Sequence, residues 1–245
     1  MSGITYAASC EYSSNQLLSI QIQIEGPFIG KILELAFPRW VPGSYFIREP
    51  IRFMQDINAI DSDGNIHPVE RFSHNRIRVK LTKEISKNNS IRIRYKLLST
   101  ILSVRSNHLD NSHLHLMPPF TWMEVTKGIS EARILANHLV ILAHSPSWKS
   151  ESQMALSDLD VPSLTLEFFD EELSISKWAP VGRDEFMDGI IESNANDTIS
   201  FEVYDCTHKL KFWDAGNHEV SQKRIDDFIE NIKLIISEHY ALFGI

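Results

Sequence analysis

Cysteine is scarce: Cys10 and Cys206 are the only two in 245 residues, far apart and in no spacing pattern. Two isolated thiols exclude a cysteine-rich zinc site, which needs several thiolates around one ion. They also fit a reducing, cytoplasmic compartment better than an oxidising one. No run approaches the roughly 20 consecutive apolar residues that a membrane-spanning helix requires. The opening Met1-Ser2-Gly3-Ile4-Thr5-Tyr6 lacks a basic start followed by an apolar stretch, so no secretory signal is legible. Positive charge is in deficit as well, with 24 Lys and Arg against 32 Asp and Glu and a formal net charge of -8. Phosphate binding needs concentrated cations, so nucleic acid is excluded as the main partner.

Catalytic signatures are missing too. There is no Gly-x-Ser-x-Gly elbow, P-loop or dinucleotide-binding glycine run, and no internal repeat or low-complexity segment. A zinc peptidase helix places two histidines one turn apart with a glutamate that activates water. His218-Glu219-Val220-Ser221-Gln222 starts that way but has Gln222 where the second ligand belongs. The expectation is a chain with no catalytic residue and no metal ligand of its own.

What is present is period-two alternation. Leu18, Ile20, Ile22 and Ile24 face one way, with Ser19, Gln21 and Gln23 facing the other. Leu33, Leu35 and Phe37 repeat the pattern, as do Ile77, Val79 and Leu81, then Ile91, Ile93, Tyr95 and Leu97. The basic runs 76–80 and 92–96 alternate with these apolar residues and read as solvated strand faces. A strand at 53–60 ends in the turn signal Asp61-Ser62-Asp63-Gly64. The polar link 83–90 suits a hairpin between its flanking strands. Further strands are expected at 134–142, 163–169, 198–204 and 209–213, loops at 149–160 and 174–197, and a short helix near 184–191. Many short strands between turns predict a mainly β fold, an antiparallel β-sandwich.

The tail differs. Ile225, Phe228, Ile229, Ile232, Ile235, Ile236, Tyr240 and Phe243 recur at three- and four-residue spacing. This predicts a long C-terminal amphipathic helix with Ser221 as its N-cap. The division is a β-sandwich domain over 1–218 and a helix over 219–245. The apolar stripe needs a partner, either the β-domain, a missing segment or a second copy of the chain in a homodimer.

Two stretches stand out chemically. Residues 103–115 concentrate Arg105, Asn107, His108, Asp110, His113 and His115. They read as a recognition loop, as turn-capping residues facing solvent, or as a metal site built on His108, His113 and His115. Residues 37–49 hold Pro38, Trp40, Pro42, Gly43, Ser44, Tyr45 and Arg48. Pro-Gly favours a tight turn, and Trp40 and Tyr45 are expected to supply large buried area, with Arg39 and Arg48 over their rings or paired with acids.

These stretches carry a resemblance. The Pro-x-Trp-x-Pro-Gly-Ser-Tyr-x-Ile-Arg-Glu run over 38–49, its continuation Phe53-Met54-Gln55-Asp56, and Ser103-Val104-Arg105-Ser106-Asn107-His108-Leu109-Asp110 resemble the glycyl aminopeptidase family, with Ser106 in place of a threonine. Asp184-Glu185-Phe186-Met187-Asp188 is a looser match. Members are zinc peptidases with an N-terminal β-domain, a thermolysin-like catalytic domain and usually a PDZ domain. The resemblance implies a non-catalytic N-terminal domain that packs on the protease and shapes its cleft, with Arg105, Asn107, His108 and Asp110 nearest a peptide substrate. Residues 219–245 would open a truncated catalytic domain, and the zinc and its ligands would lie beyond Ile245. The alternatives are a stand-alone binding or scaffold module derived from such a peptidase, and a metal-dependent enzyme centred on the three histidines.

Overall fold

The computed structural model describes residues 3–40, 44–82, 89–129, 138–142, 150–152, 165–168, 190–193, 196–212 and 221–244. They fall into two compact units, 1–194 and 195–245.

In the first unit the alternation becomes burial. Strands β1 (Ile4–Tyr12), β2 (Leu17–Glu25) and β8 (Ser90–Leu98) bury every second side chain and leave the others at the surface. They form the centre of a seven-stranded sheet ordered β14-β12-β1-β2-β8-β4-β5, where β4 is Met54–Asp61, β5 Ile66–His67, β12 His138–Leu142 and β14 Thr165–Phe168. Pairing is antiparallel from β1 to β5, while β12 joins β1 in parallel and β14 joins β12 in parallel. Alternation is the same for either direction, so sequence did not distinguish them.

A second sheet, ordered β11-β3-β7-β6, combines β3 (Ile32–Ala36), β6 (Val69–Arg71), β7 (Arg76–Lys80) and β11 (Glu124–Lys127). A third, ordered β13-β15-β10-β9, is made of β9 (His108–Leu109), β10 (Leu114–Leu116), β13 (Ser150–Ser152) and β15 (Ile191–Ser193). Their inner faces merge in one core, where Ile22 and Tyr95 join Leu35, Val79, Leu109 and Trp122. Each such aliphatic or aromatic side chain contributes about 1.5–3 kcal/mol on burial. Polar ends are satisfied across the layers: the Tyr6 hydroxyl donates to the Met123 carbonyl at 2.9 Å and the Tyr95 hydroxyl to that of Thr121 at 2.6 Å. Trp122 stacks on Tyr6 with centroids 5.5 Å apart.

Two expectations need correction, and a third lies mostly outside the described residues. β7 and β8 do not pair with each other; β7 lies between β3 and β6 and β8 between β2 and β4, so the 83–90 link changes sheets instead of closing a hairpin. Partner choice follows cross-strand chemistry, such as Arg78 opposite Glu34 at 2.9 Å, which alternation does not encode. The stretches 149–160 and 174–197 contain β13 and β15, three-residue strands too short to show a period. Of the short helix at 184–191, residues 184–189 lie outside the described residues, while Ile191 begins β15.

In the second unit β16 (Asn196–Val203) and β17 (Cys206–Phe212) form an antiparallel hairpin. Tyr204 and Asp205 both adopt positive φ, 49° and 60°, as a two-residue turn of this hand demands. Helix α2 spans Gln222–Phe243 and ends where Gly244, at φ 71°, donates its N–H to the Tyr240 carbonyl. Ser221 occupies the N-cap position, but its side chain makes no capping hydrogen bond. Tyr240 stacks on Tyr204 at 4.4 Å and Ile229 is buried, whereas Ile235 and Phe243 from the same stripe are exposed. No helix among the described residues is long and apolar enough to cross a membrane.

Candidate functional site

The polar stretch predicted as a recognition loop folds against the sandwich between β8 and the single helical turn α1 (Pro118–Thr121). Leu109 donates its N–H to the Ser99 carbonyl at 2.8 Å, and the Ser106 hydroxyl donates to that of Ile101 at 2.8 Å. Asn107 is buried and its amide is committed on both sides. Its Oδ1 accepts from the Met117 N–H at 2.9 Å and the Thr121 hydroxyl at 3.1 Å, and its Nδ2 donates to the Phe120 carbonyl at 3.3 Å. It therefore splices the loop onto α1.

Asp110 closes a tight turn. Its Oδ1 accepts from the Ser112 N–H and hydroxyl, each at 2.7 Å, and from the His113 N–H at 2.9 Å. Its second oxygen, Oδ2, lies 4.0 Å from His108 Nε2. Burial pushes the Asp110 carboxyl up, but the Ser112 and His113 donors and the nearby His108 outweigh this and hold it below its ordinary value.

The three histidines converge. His108 is opposite His115 across β9 and β10, the His108 and His113 rings are 5.9 Å apart, and all three are buried. Among the described residues, however, no group of three or more His, Cys, Asp or Glu is placed to hold a metal ion. Arg105 is half-buried beside the exposed Ile101, Leu102 and Val104.

The second motif has a different character from the one expected. Pro42 and Gly43 lie outside the described residues. Trp40 and Tyr45 are not buried: Trp40 is 57% exposed and Tyr45 97%, with Phe46 at 68% and Ile47 at 62%. Hydrogen bonds nonetheless join the described residues on either side of 41–43. Trp40 Nε1 donates to the Ser44 carbonyl at 2.8 Å, the Ser44 hydroxyl donates to that of Phe46 at 3.0 Å, and the Arg48 N–H donates to that of Arg39 at 2.9 Å. Arg48 sits over the Phe46 ring at 5.8 Å, not over Trp40 or Tyr45. Half-buried Pro38 leads into it from the buried Phe37. A small cavity lined by Pro50, Phe53, Ile101, Ser106, Asn107 and Phe120 brings the end of this motif next to the polar loop.

Sequence reasoning missed the exposed apolar edges, Phe46, Ile47, Ile101, Leu102 and Val104. The available signal was consecutive apolar residues without alternation, bracketed by Arg39 and Arg48 in one loop and preceding Arg105 in the other. Consecutive apolar residues in a loop cannot all face one core.

The family described as the Peptidase M61 N-terminal domain matches residues 5–169. An aminopeptidase N family protein from Idiomarina loihiensis superposes with a TM-score of 0.71 at 21% identity, over 98% of this chain and 37% of that one. The chain thus spans little more than a third of that relative's length. An M1 zinc metallopeptidase from Deinococcus radiodurans aligns with a TM-score of 0.38 at 7% identity, over 91% of this chain and 50% of that one. No protein of curated function matches in sequence.

Proposed function

This chain belongs to the peptidase M61 N-terminal domain family, and we propose that it acts as the non-catalytic β-domain of a zinc aminopeptidase of the glycyl type. In this reading it packs on a thermolysin-like catalytic domain of the same polypeptide, which a PDZ domain follows, and forms one wall of the peptide-binding cleft. Zinc and the water-activating glutamate belong to that catalytic domain. A cytoplasmic location is part of the same reading, in keeping with two free cysteines, Cys10 buried and Cys206 exposed.

The observation that carries the reading is the loop from Trp40 to Ile47. Trp40, Tyr45, Phe46 and Ile47 are exposed there, and hydrogen bonds join Trp40 to Ser44 and Ser44 to Phe46. Ordering such a loop before contact reduces the entropy lost on docking, and exposed aromatic residues are the usual anchors of an interface. Tyr45 contributes almost nothing to the core of its own unit, so its role is outward. In this reading Arg105, Asn107, His108 and Asp110 of the polar loop are the residues nearest the substrate.

The test uses the complete enzyme. Tyr45→Ala with Phe46→Ser leaves the stability of this domain within about 0.5 kcal/mol, as surface changes do. It lowers kcat/KM by at least about tenfold by loosening the cleft wall. Asp110→Asn keeps an oxygen for the Ser112 and His113 N–H groups but removes the charge facing His108, so activity falls more than thermal stability. Full activity in both variants would refute a wall role for these loops.

A further inference from the structure

The outer face of the seven-stranded sheet, opposite the core, holds a cleft of about 480 Å³. That size lies within the roughly 300–1,000 Å³ of ligand pockets. Its floor is small because Ala7, Ser9 and Ser19 project from β1 and β2, with Ser9 directly opposite Ser19. Arg94 and Lys96 line it from β8, and Asp56 and Asn58 from β4.

Regular alternation would not put Asp56 and Asn58 on this face together with Gln55. Gln55 pairs with Lys96 and Asn58 with Arg94, so two residues of β4, Asp56 and Ile57, stand opposite Tyr95 alone. This bulge turns Ile57 toward the core and both polar residues outward. Asp56 adopts φ 51° to do so, a conformation uncommon for a residue with a side chain. Backbone of that kind concentrates where a side chain is being aimed at a ligand.

The lining has a definite chemistry. Two cations, Arg94 and Lys96, face two carboxylates, Asp56 and Glu11. Lys96 Nζ sits at once 3.2 Å from Asp56 and 4.6 Å from the centre of the Tyr12 ring. Arg94 Nε donates to Gln21 Oε1 at 3.0 Å. Asn58 is held beside Asp56, its Nδ2 donating to the Asp56 carbonyl at 3.5 Å. A polyanion would meet Asp56 and Glu11, a metal ion would meet Arg94 and Lys96, and an apolar ligand would desolvate all four charges.

We propose that this cleft binds a zwitterionic amino acid or dipeptide. Arg94 and Lys96 hold its carboxylate, and the exposed Asp56 carboxylate accepts hydrogen bonds from its ammonium. Nothing in this assignment depends on peptidase activity, so it stands or falls separately from the proposed function.

Calorimetric titration of the whole chain with leucine, glycyl-leucine and N-acetyl-leucinamide tests it. The expected result is saturable binding of one or both zwitterions, the binder identifying which source is used. The doubly capped analogue binds at least about tenfold more weakly, as do both zwitterions to Arg94→Gln and to Asp56→Asn. Both residues are on the outer face, and a thermal midpoint within about 3 °C of the parent verifies that each variant is folded. No saturation of either zwitterion up to about 10 mM, equal binding of the capped analogue, or unchanged binding in folded variants would overturn the assignment.

Discussion

Asp61 looks in the sequence like one member of a turn signal, and in the structure it is the hub of a buried polar cluster. Its carboxylate accepts from the Asp63 N–H at 3.0 Å, the Asn65 N–H at 2.8 Å and the Asn65 side chain, and faces His67 Nε2 at 3.2 Å. His67 Nδ1 accepts the Thr82 N–H at 3.2 Å, which leaves its proton on Nε2, pointing at Asp61. Burial pushes the Asp61 carboxyl up, but the Asn65 and His67 donors outweigh it and hold it below its ordinary value of 3.8. A carboxyl lowered in the folded state stabilises fully above its unfolded value, and that contribution is lost as pH falls through the folded one. Asp110 acts in the same direction. The thermal midpoint should therefore be flat from about pH 7 to 5 and drop below about pH 4, with a shallower drop in Asp61→Asn. An identical acid limb in that variant would remove Asp61 from the account. Asn107 supports a second residue-scale prediction, since its loss strands the Met117 N–H and the Phe120 carbonyl. Asn107→Ala should cost about 2–4 kcal/mol in urea unfolding, far more than Tyr45→Ala. A loss below about 1 kcal/mol would mean that water replaces the amide.

Elements were legible where a strand buries one full face. β1, β2 and β8 each alternate over nine residues, and the burial follows the alternation. Short strands such as β9 and β15 gave no period to read, and the β4 bulge broke its own. Glycine shows how much the neighbouring element matters. Gly128, at φ 102°, lies against β3, where a Cβ would stand 2.6 Å from the Ile32 carbonyl oxygen and 2.9 Å from Leu33 Cα. Gly64, at φ 84°, has nothing within 4 Å of that position. Gly64→Ala should cost about 1–2 kcal/mol from backbone conformation alone. Gly128→Ala should cost about 3 kcal/mol or more, because backbone must also move. Chemical denaturation of the two variants compares them, and equal losses would show that β3 yields freely.

Over the whole molecule, the apolar surface is unevenly distributed. Among the described residues of the first unit, one core cluster gathers the inward side chains of the three sheets, while Tyr45 and its neighbours remain outside it. Within the second, Leu234, Ile235, Leu242 and Phe243 remain exposed on α2. In the proposed reading zinc chemistry belongs to a separate catalytic domain. The purified chain, with zinc added, should release no amino acid from aminoacyl substrates and should bind less than one equivalent of metal. Hydrolysis that persists after contaminating protease is removed would place reactive groups within these residues.

Local order alone determined the mainly β character, the faces of the long strands, the C-terminal helix and the motifs that mark the family. Each depends on periods or spacings within a few residues, and such spacings survive in one dimension. Tertiary structure decided which strands became neighbours, that Trp40 and Tyr45 point away from the core, and that Asp56, Asn58, Arg94 and Lys96 share one cleft. Those outcomes rest on contacts between segments far apart in the chain, and a pattern that repeats locally says which face is apolar without saying what will cover it.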